Sequence, residues 1–243
     1  MGYVFGRRRI NIMINEYQTQ SELNPALWDG DELKSRLRLQ LLKIAKYFYK
    51  FLDISAPVND VTLTGSNANY NWTDKSDIDL HILINYKLIN DHEILVRDYM
   101  MAKKTIWNNK YPIIYKGMRI ELYAQDTNEP HASTGVYSVL HNKWLMTPNS
   151  EMISVEDEAI NKKAKPYEYE IDKLDPEDDQ LLDKIAAIKS RLKTLRQTGL
   201  QSTGEYSIEN LAFKSLRNSG HLERLSNLEQ TTTFRQLTPG SYQ

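Results

Sequence analysis

The stretch Leu63–Ile84, LTGSNANYNWTDKSDIDLHILI, puts two carboxylates at alternate positions where an aliphatic run begins. Strand side chains have a period of two, so Asp77 and Asp79 share one face while Ile78, Leu80, Ile82 and Ile84 share the other. The apolar face has to be covered by other elements. The acidic face needs an opposite charge, because neighbouring carboxylates repel each other at short range. A shorter strand, Val61–Thr64, comes just before and runs into Gly65-Ser66, a turn at which a residue without Cβ permits close backbone approach. A sheet covered by helices on one face and polar on the other is what such a pattern can build, an α+β (α/β) chain.

The surrounding periodicity supplies the helices. After the turn signals Asn24-Pro25 and Asp29-Gly30-Asp31, apolar residues recur at Leu33, Leu37, Leu41, Ile44, Phe48 and Leu52, the spacing of an amphipathic helix. A second helix is expected from an Asp91 cap, with Ile94, Leu95, Tyr99, Ala102 and Ile106 inward. A hairpin follows, Tyr111–Tyr115 and Met118–Gln125 about a Lys116-Gly117 turn. Residues 126–150 read as a short, mostly helical segment between loops.

Beyond a break at Lys162–Pro166, Glu168–Asp183 holds eight acids and one lysine, and Lys184–Arg196 holds five bases and no acid. One helix starting near Pro176 would place both runs favourably along its dipole. A second is expected over Ser207–Leu228, with a frayed polar tail after it. The organisation is then a loose N-terminal arm over 1–24 (with Met13 an alternative start), a core domain over 25–163 and a helical region over 164–243.

Composition removes several classes of chemistry. The 243 residues contain no cysteine, which excludes disulfides, thiolate nucleophiles and cysteine-ligated metal sites. With 31 basic against 32 acidic residues the net charge is −1, which speaks against diffuse coating of nucleic acid. No apolar run approaches the ~20 residues that span a bilayer. MGYVFGRRRI reverses the charge order of a secretory signal, and Gly6 stands where a myristoylation motif wants Ser or Thr. A cytoplasmic chain with no membrane partner is expected.

A third acid lies on the hairpin. In Met118–Ala124, Ile120, Leu122 and Ala124 take one face and Glu121 the other. Asp77, Asp79 and Glu121 together offer hard oxygen donors suited to Mg²⁺ or Mn²⁺. Two such ions could activate an attacking hydroxyl and hold a triphosphate, with Glu121 also placed to act as a general base. Gly65, Ser66 and the neighbouring N–H groups suit phosphate oxygens.

Gly65-Ser66, Asp77-Ile78-Asp79 and Glu121, within a core from about Leu33 to Pro148, resemble the nucleotidyltransferase superfamily typified by DNA polymerase β. Through LTGSNAN, SDIDLHI and IELYAQDTNEPH the chain also resembles small stand-alone nucleotidyltransferases of tailed bacteriophages. The resemblance implies a mixed sheet flanked by helices, and transfer of a nucleoside monophosphate from an NTP to an acceptor hydroxyl with loss of pyrophosphate. It implies Asp77, Asp79 and Glu121 as metal ligands and Gly65 and Ser66 as the phosphate loop. ATP is the default NTP, and a tRNA end, a protein or a small molecule is the acceptor. A non-catalytic NTP-sensing module and a toxin-like component with a partner chain are the alternatives.

Other candidates are Asn67 and Asn69 for ribose or phosphate, Tyr137 for base stacking, and His131 or Ser133 near phosphate. His81 shares the acidic face, where a neutral, hydrogen-bonded histidine is the plainer expectation. Lys184, Lys189, Arg191, Lys193 and Arg196 are candidates for contact with triphosphate or RNA.

Overall fold

The computed structural model describes residues 20–74, 76–131, 133–149 and 157–238. Strands β1 (Trp28–Asp29) and β2 (Glu32–Leu33) form a small hairpin ahead of helix α1 (Ser35–Leu52). Then come β3 (Val58–Thr64), β4 (Ile78–Ile84), α2 (Glu93–Lys110), β5 (Ile114–Tyr115) and β6 (Met118–Asp126). Strands β7 (Val136–Ser138) and β8 (Lys143–Met146) complete a six-stranded sheet in the order β5-β6-β4-β3-β7-β8. Only β4 and β6 pair in parallel. A parallel pair needs a long crossover, here supplied by α2. The chain is thus an α+β protein, a mixed sheet flanked by helices.

Local chemistry accounts for most of these elements. Leu37, Leu41, Ala45, Phe48 and Leu52 of α1 are buried at steps of three and four, and Asp53 ends the helix in the left-handed region. In β4 the alternation is clean: Ile78, Leu80, Ile82 and Ile84 are buried, while Asp79 and His81 are half-buried on the other face. Lys116 and Gly117 both have positive φ, as a two-residue hairpin turn of this twist demands. At Leu122 of β6 the Asn108 amide takes the place of a strand. Its Nδ2 donates to the Leu122 carbonyl and its Oδ1 accepts the Leu122 N–H, both at 3.1 Å.

Several sequence expectations are corrected. Residues 126–150 contain the β7–β8 hairpin, not a helix, since Val136 and Tyr137 fill the end of the sheet core. Helix α2 turns Val96, Met100 and Trp107 inward and leaves Ile94, Leu95 and Ile106 exposed. Apolar residues surround this helix, so its phase is set by Trp107 packing on Phe48 and Phe51. Of the expected arm, residues 1–19 lie outside the described residues. Leu23 and Asn24 are buried, and the Gln20 N–H donates to the Tyr70 carbonyl, so this end of the arm is part of the core.

The second half is four helices: α3 (Asp157–Asp172), α4 (Leu181–Ser202), α5 (Ile208–Asn218) and α6 (His221–Leu237). They close around their own apolar cluster, which includes Ile160, Ile171, Ile185, Leu192, Leu216 and Leu225. Helix α3 passes through the expected break with Pro166 inside it, and Ile160 and Ala164 on either side of the 163/164 boundary both join this cluster. The helix expected over Ser207–Leu228 is divided at Gly220, which has φ +85°, and α6 continues to Leu237 where fraying was expected. Among the described residues no helix is long and apolar enough to cross a membrane.

Candidate active site

Strand register brings the acidic residues together. In the parallel β4–β6 pair Asp79 stands at the position of Glu121, and across β3 it stands at Thr64. Asp77 lies just before β4, two residues from Asp79. Burial first, then Glu121 and Asp77, pushes the Asp79 carboxyl up to about 7. Asp77 is likewise raised, by burial and then by Glu121. Among the described residues no three His, Asp or Glu side chains converge closely enough to hold an ion, so the trio is adjacent in register but not gathered.

Gly65 explains where Asp79 points. A Cβ at residue 65 would lie 2.1 Å from Asp79 Oδ2, and the backbone there has φ +74° and ψ −162°, a conformation essentially restricted to glycine. The glycine therefore lets the backbone of this turn lie directly against the carboxylate. Ser66 Oγ bonds Ser76 Oγ at 2.9 Å, and Ser76 Oγ accepts the Thr73 N–H, which closes the loop between the strands.

A cleft of about 280 Å³ opens over this point. Gly65, Ser66, Asp79 and His81 form its floor. Gln125, Glu129, His131 and Ser133 line one side, and Arg196, Lys214 and Arg217 come from α4 and α5 opposite. Asp77 and Glu121 flank Asp79 without lining the cleft. Burial lowers the pKa of Lys214 and of Arg196; for Lys214 the neighbouring Arg217 and Arg196 add to this, and for Arg196 the Arg217 charge does. Asp79 opposes both shifts, so the cations and the carboxylate sense each other across the cleft. The cleft thus sets the Asp79 carboxylate against three cationic side chains.

His81 fits the plain expectation. Its Nδ1 lies 2.8 Å from Gln125 Oε1, its ring meets Tyr123 edge-on, and burial pushes its pKa down to about 4, keeping it neutral. His131 and Ser133 reach the cleft as expected.

Three expected nucleotide contacts, Tyr137, Asn67 and Asn69, do not. Tyr137 is 2% exposed, edge-on to Trp28 and Trp144, with its hydroxyl on Asn142 Oδ1. A base has no open ring face to stack on there, because the β7–β8 hairpin carries the ring into the core. Asn67 is fully buried, its Nδ2 donating to the Asp77 carbonyl and its Oδ1 accepting from Asn24 Nδ2, so it braces the backbone that carries Asp77. Asn69 is also fully buried, bonded to Thr134, Tyr206 and Glu205.

Of the five expected basic candidates only Arg196 enters this cleft. Lys184, Lys189 and Arg191 pair with Asp178, Glu229 and Glu170, so the acidic and basic runs neutralise each other between helices. Lys193 lines an adjoining hollow with Leu192 and Phe213, on the other side of Arg196, which borders both. Lys214 and Arg217 were missed. Asn210, Lys214 and Arg217 recur at i, i+4 and i+7, one polar face of α5, and that spacing was the signal available.

No family model and no curated protein matches the chain. Among solved structures it is similar to a STING-associated CdnE c-di-GMP synthase from Capnocytophaga granulosa, at 11% identity and a TM-score of 0.24, with 86% of this chain and 84% of that one covered. A likeness at that score carries no argument, so the chemistry of the cleft has to be read from its own residues.

Proposed function

We propose that the chain is a divalent-metal-dependent nucleotidyltransferase, moving a nucleoside monophosphate from an NTP, ATP by default, to an acceptor hydroxyl with release of pyrophosphate. The observation that carries this reading is Asp79, paired in register with Glu121 and facing Arg196, Lys214 and Arg217 across the cleft. A carboxylate pair alone would serve many hydrolases. A carboxylate pair beneath a Gly-Ser turn and opposite three cations matches the charge pattern of a metal–triphosphate complex.

The donor set suits the metal in kind, carboxylate oxygens without sulfur matching Mg²⁺ or Mn²⁺, and Asp77, Asp79 and Glu121, which stand apart in this structure, would have to draw together to hold it. Bound there, the cation supplies charge neutralisation at the transferred phosphoryl group and lowers the pKa of the acceptor hydroxyl. The chain's own residues do the rest. Arg196, Lys214 and Arg217 take up the charge of the β- and γ-phosphates and of the departing pyrophosphate. Gly65 lets the loop backbone approach the phosphates, Ser66 Oγ offers a hydrogen bond, and Glu121 accepts the acceptor's proton.

The test is incubation with α-labelled NTPs and Mg²⁺ or Mn²⁺ together with cell extract, then sorting of label into RNA, protein and small-molecule fractions. Metal-dependent transfer with stoichiometric pyrophosphate is expected. Calorimetry that finds no metal-dependent NTP binding by the wild type would overturn the reading. Binding without turnover on any fraction would favour a nucleotide-sensing module instead.

A further inference from the structure

The cationic wall and the acidic floor belong to different packing units, and one carboxylate joins them. Glu205 is 7% exposed and lies in a single 3₁₀ turn, Gly204–Tyr206, just before α5. Its Oε1 accepts from Asn69 Nδ2 at 2.6 Å, from the Thr134 N–H at 3.0 Å and from Thr134 Oγ1 at 2.7 Å. Its Oε2 accepts from Asn71 Nδ2 at 2.8 Å. All four of these groups are donors, and all come from the two loops that flank the Gly65-Ser66 turn.

Those loops are themselves locked together. A Cβ at Gly135 would lie 1.8 Å from the Ala68 carbonyl oxygen, so the loop bearing Thr134 packs backbone to backbone on the turn that leads to Asn69. On the other side Glu205 is tied to α5: its carbonyl accepts from Asn210 Nδ2 at 2.6 Å, and Ser207 Oγ caps the helix by accepting the Asn210 N–H. Gly199 of α4 sits so close to this corner that a Cβ there would lie 2.5 Å from Ser207 Oγ. Arg196 on α4 and Lys214 and Arg217 on α5 therefore move as one body with Glu205.

We propose that Glu205 is a positioning residue, the latch that sets the cationic wall of α4 and α5 at its working distance from the carboxylate floor. It lines the cleft beside Lys214 but acts through its four donors. The proposal rests on the nucleotidyltransferase reading for its catalytic consequence, but not for its structural one. Loss of the latch weakens triphosphate binding and loosens both loops without dissolving either apolar cluster.

The polarity of the latch supplies the test. Glu205→Ala removes all four acceptor contacts, and Asn71→Asp alone opposes two carboxylates. The pair Glu205→Gln with Asn71→Asp restores a donor facing an acceptor. Affinity for α,β-methylene-ATP with Mg²⁺ is measured by calorimetry, and amide hydrogen exchange is followed over residues 66–74 and 204–210. Each single variant is expected to lose at least about tenfold in affinity and to exchange faster in both segments, while the double variant recovers most of both. Wild-type affinity and exchange in Glu205→Ala, or a double variant no better than Asn71→Asp, overturns the latch. If the wild type binds no nucleotide, the catalytic reading fails instead, and the exchange pattern alone decides the latch.

Discussion

Asp79 and Glu121 occupy paired positions on the parallel strands β4 and β6, and no other acid of the sheet meets a carboxylate across a strand boundary in the described pairings. Cross-strand like charges destabilise a sheet, and under the proposed reading a bound cation would offset this pair. Asp79→Asn should therefore separate function from stability. Metal-dependent pyrophosphate release is expected to fall by at least about a thousandfold, the loss of several kcal/mol of charge stabilisation. Circular dichroism should show the variant folded.

The raised pKa of Asp79 predicts the pH response of the metal-free protein. With the folded carboxyl at about 7 and the ordinary value at 3.8, the folded state holds a proton that the unfolded chain has released between those limits. Stability from this group therefore declines as pH rises through that window, by up to about 4 kcal/mol. Thermal melts in chelator at pH 5 and pH 8 should show the decline in wild type and a much smaller one in Asp79→Asn. Added Mg²⁺ should restore wild-type stability at pH 8, since a cation that binds only the folded state stabilises it.

Gly65→Ala should damage the site more than the fold. The backbone conformation costs an alanine about 1–3 kcal/mol, and the new Cβ would displace the Asp79 carboxylate it meets at 2.1 Å. Urea unfolding is expected to register the first cost. Steady-state kinetics should register the second as a fall in kcat well beyond what the stability change explains.

Arg217→Ala and Lys214→Met should each weaken binding of inorganic tripolyphosphate by about ten- to a hundredfold, the worth of one charge-assisted contact. The residual binding should depend less steeply on salt. Lys184→Met, which lines neither the cleft nor the hollow beside it and pairs with Asp178, serves as the control and is expected to bind tripolyphosphate as wild type does.

Tyr137→Phe should leave nucleotide affinity unchanged, whereas Tyr137→Ala should cost about 3–5 kcal/mol of stability by emptying the space beside the stacked Trp28–Trp144 pair. Denaturant titration checks the second and calorimetry the first.

What was legible in the chain follows from the range of the forces involved. The β4 alternation, the Lys116-Gly117 turn and the α1 stripe are local patterns, and they read correctly. The acidic trio was legible because strand period fixes a side chain's face without knowledge of its partner. Tyr137 and Asn67 misled because turn-rich polar sequence looks the same whether it faces a ligand or braces a core, and only the β7–β8 pairing decides. Lys214 and Arg217 escaped because a polar stripe on a helix acquires meaning from what it faces, here a floor far away in the chain. The basic run at Lys184–Arg196 was conspicuous for the opposite reason. Contiguous charge is easy to see, yet three of its members are consumed by ion pairs with acids of α3, α6 and the α3–α4 connection.

The division of the cleft between early and late parts of the chain also sets an order of assembly during synthesis. The strands that carry Asp79 and Glu121 leave the ribosome well before α4 and α5, and domains fold largely as they emerge. Until α4 and α5 arrive, the nascent chain has its acids in register but no wall of cations and no enclosed cleft. The site is thus built in two instalments, the carboxylates first and the cations that face them afterwards.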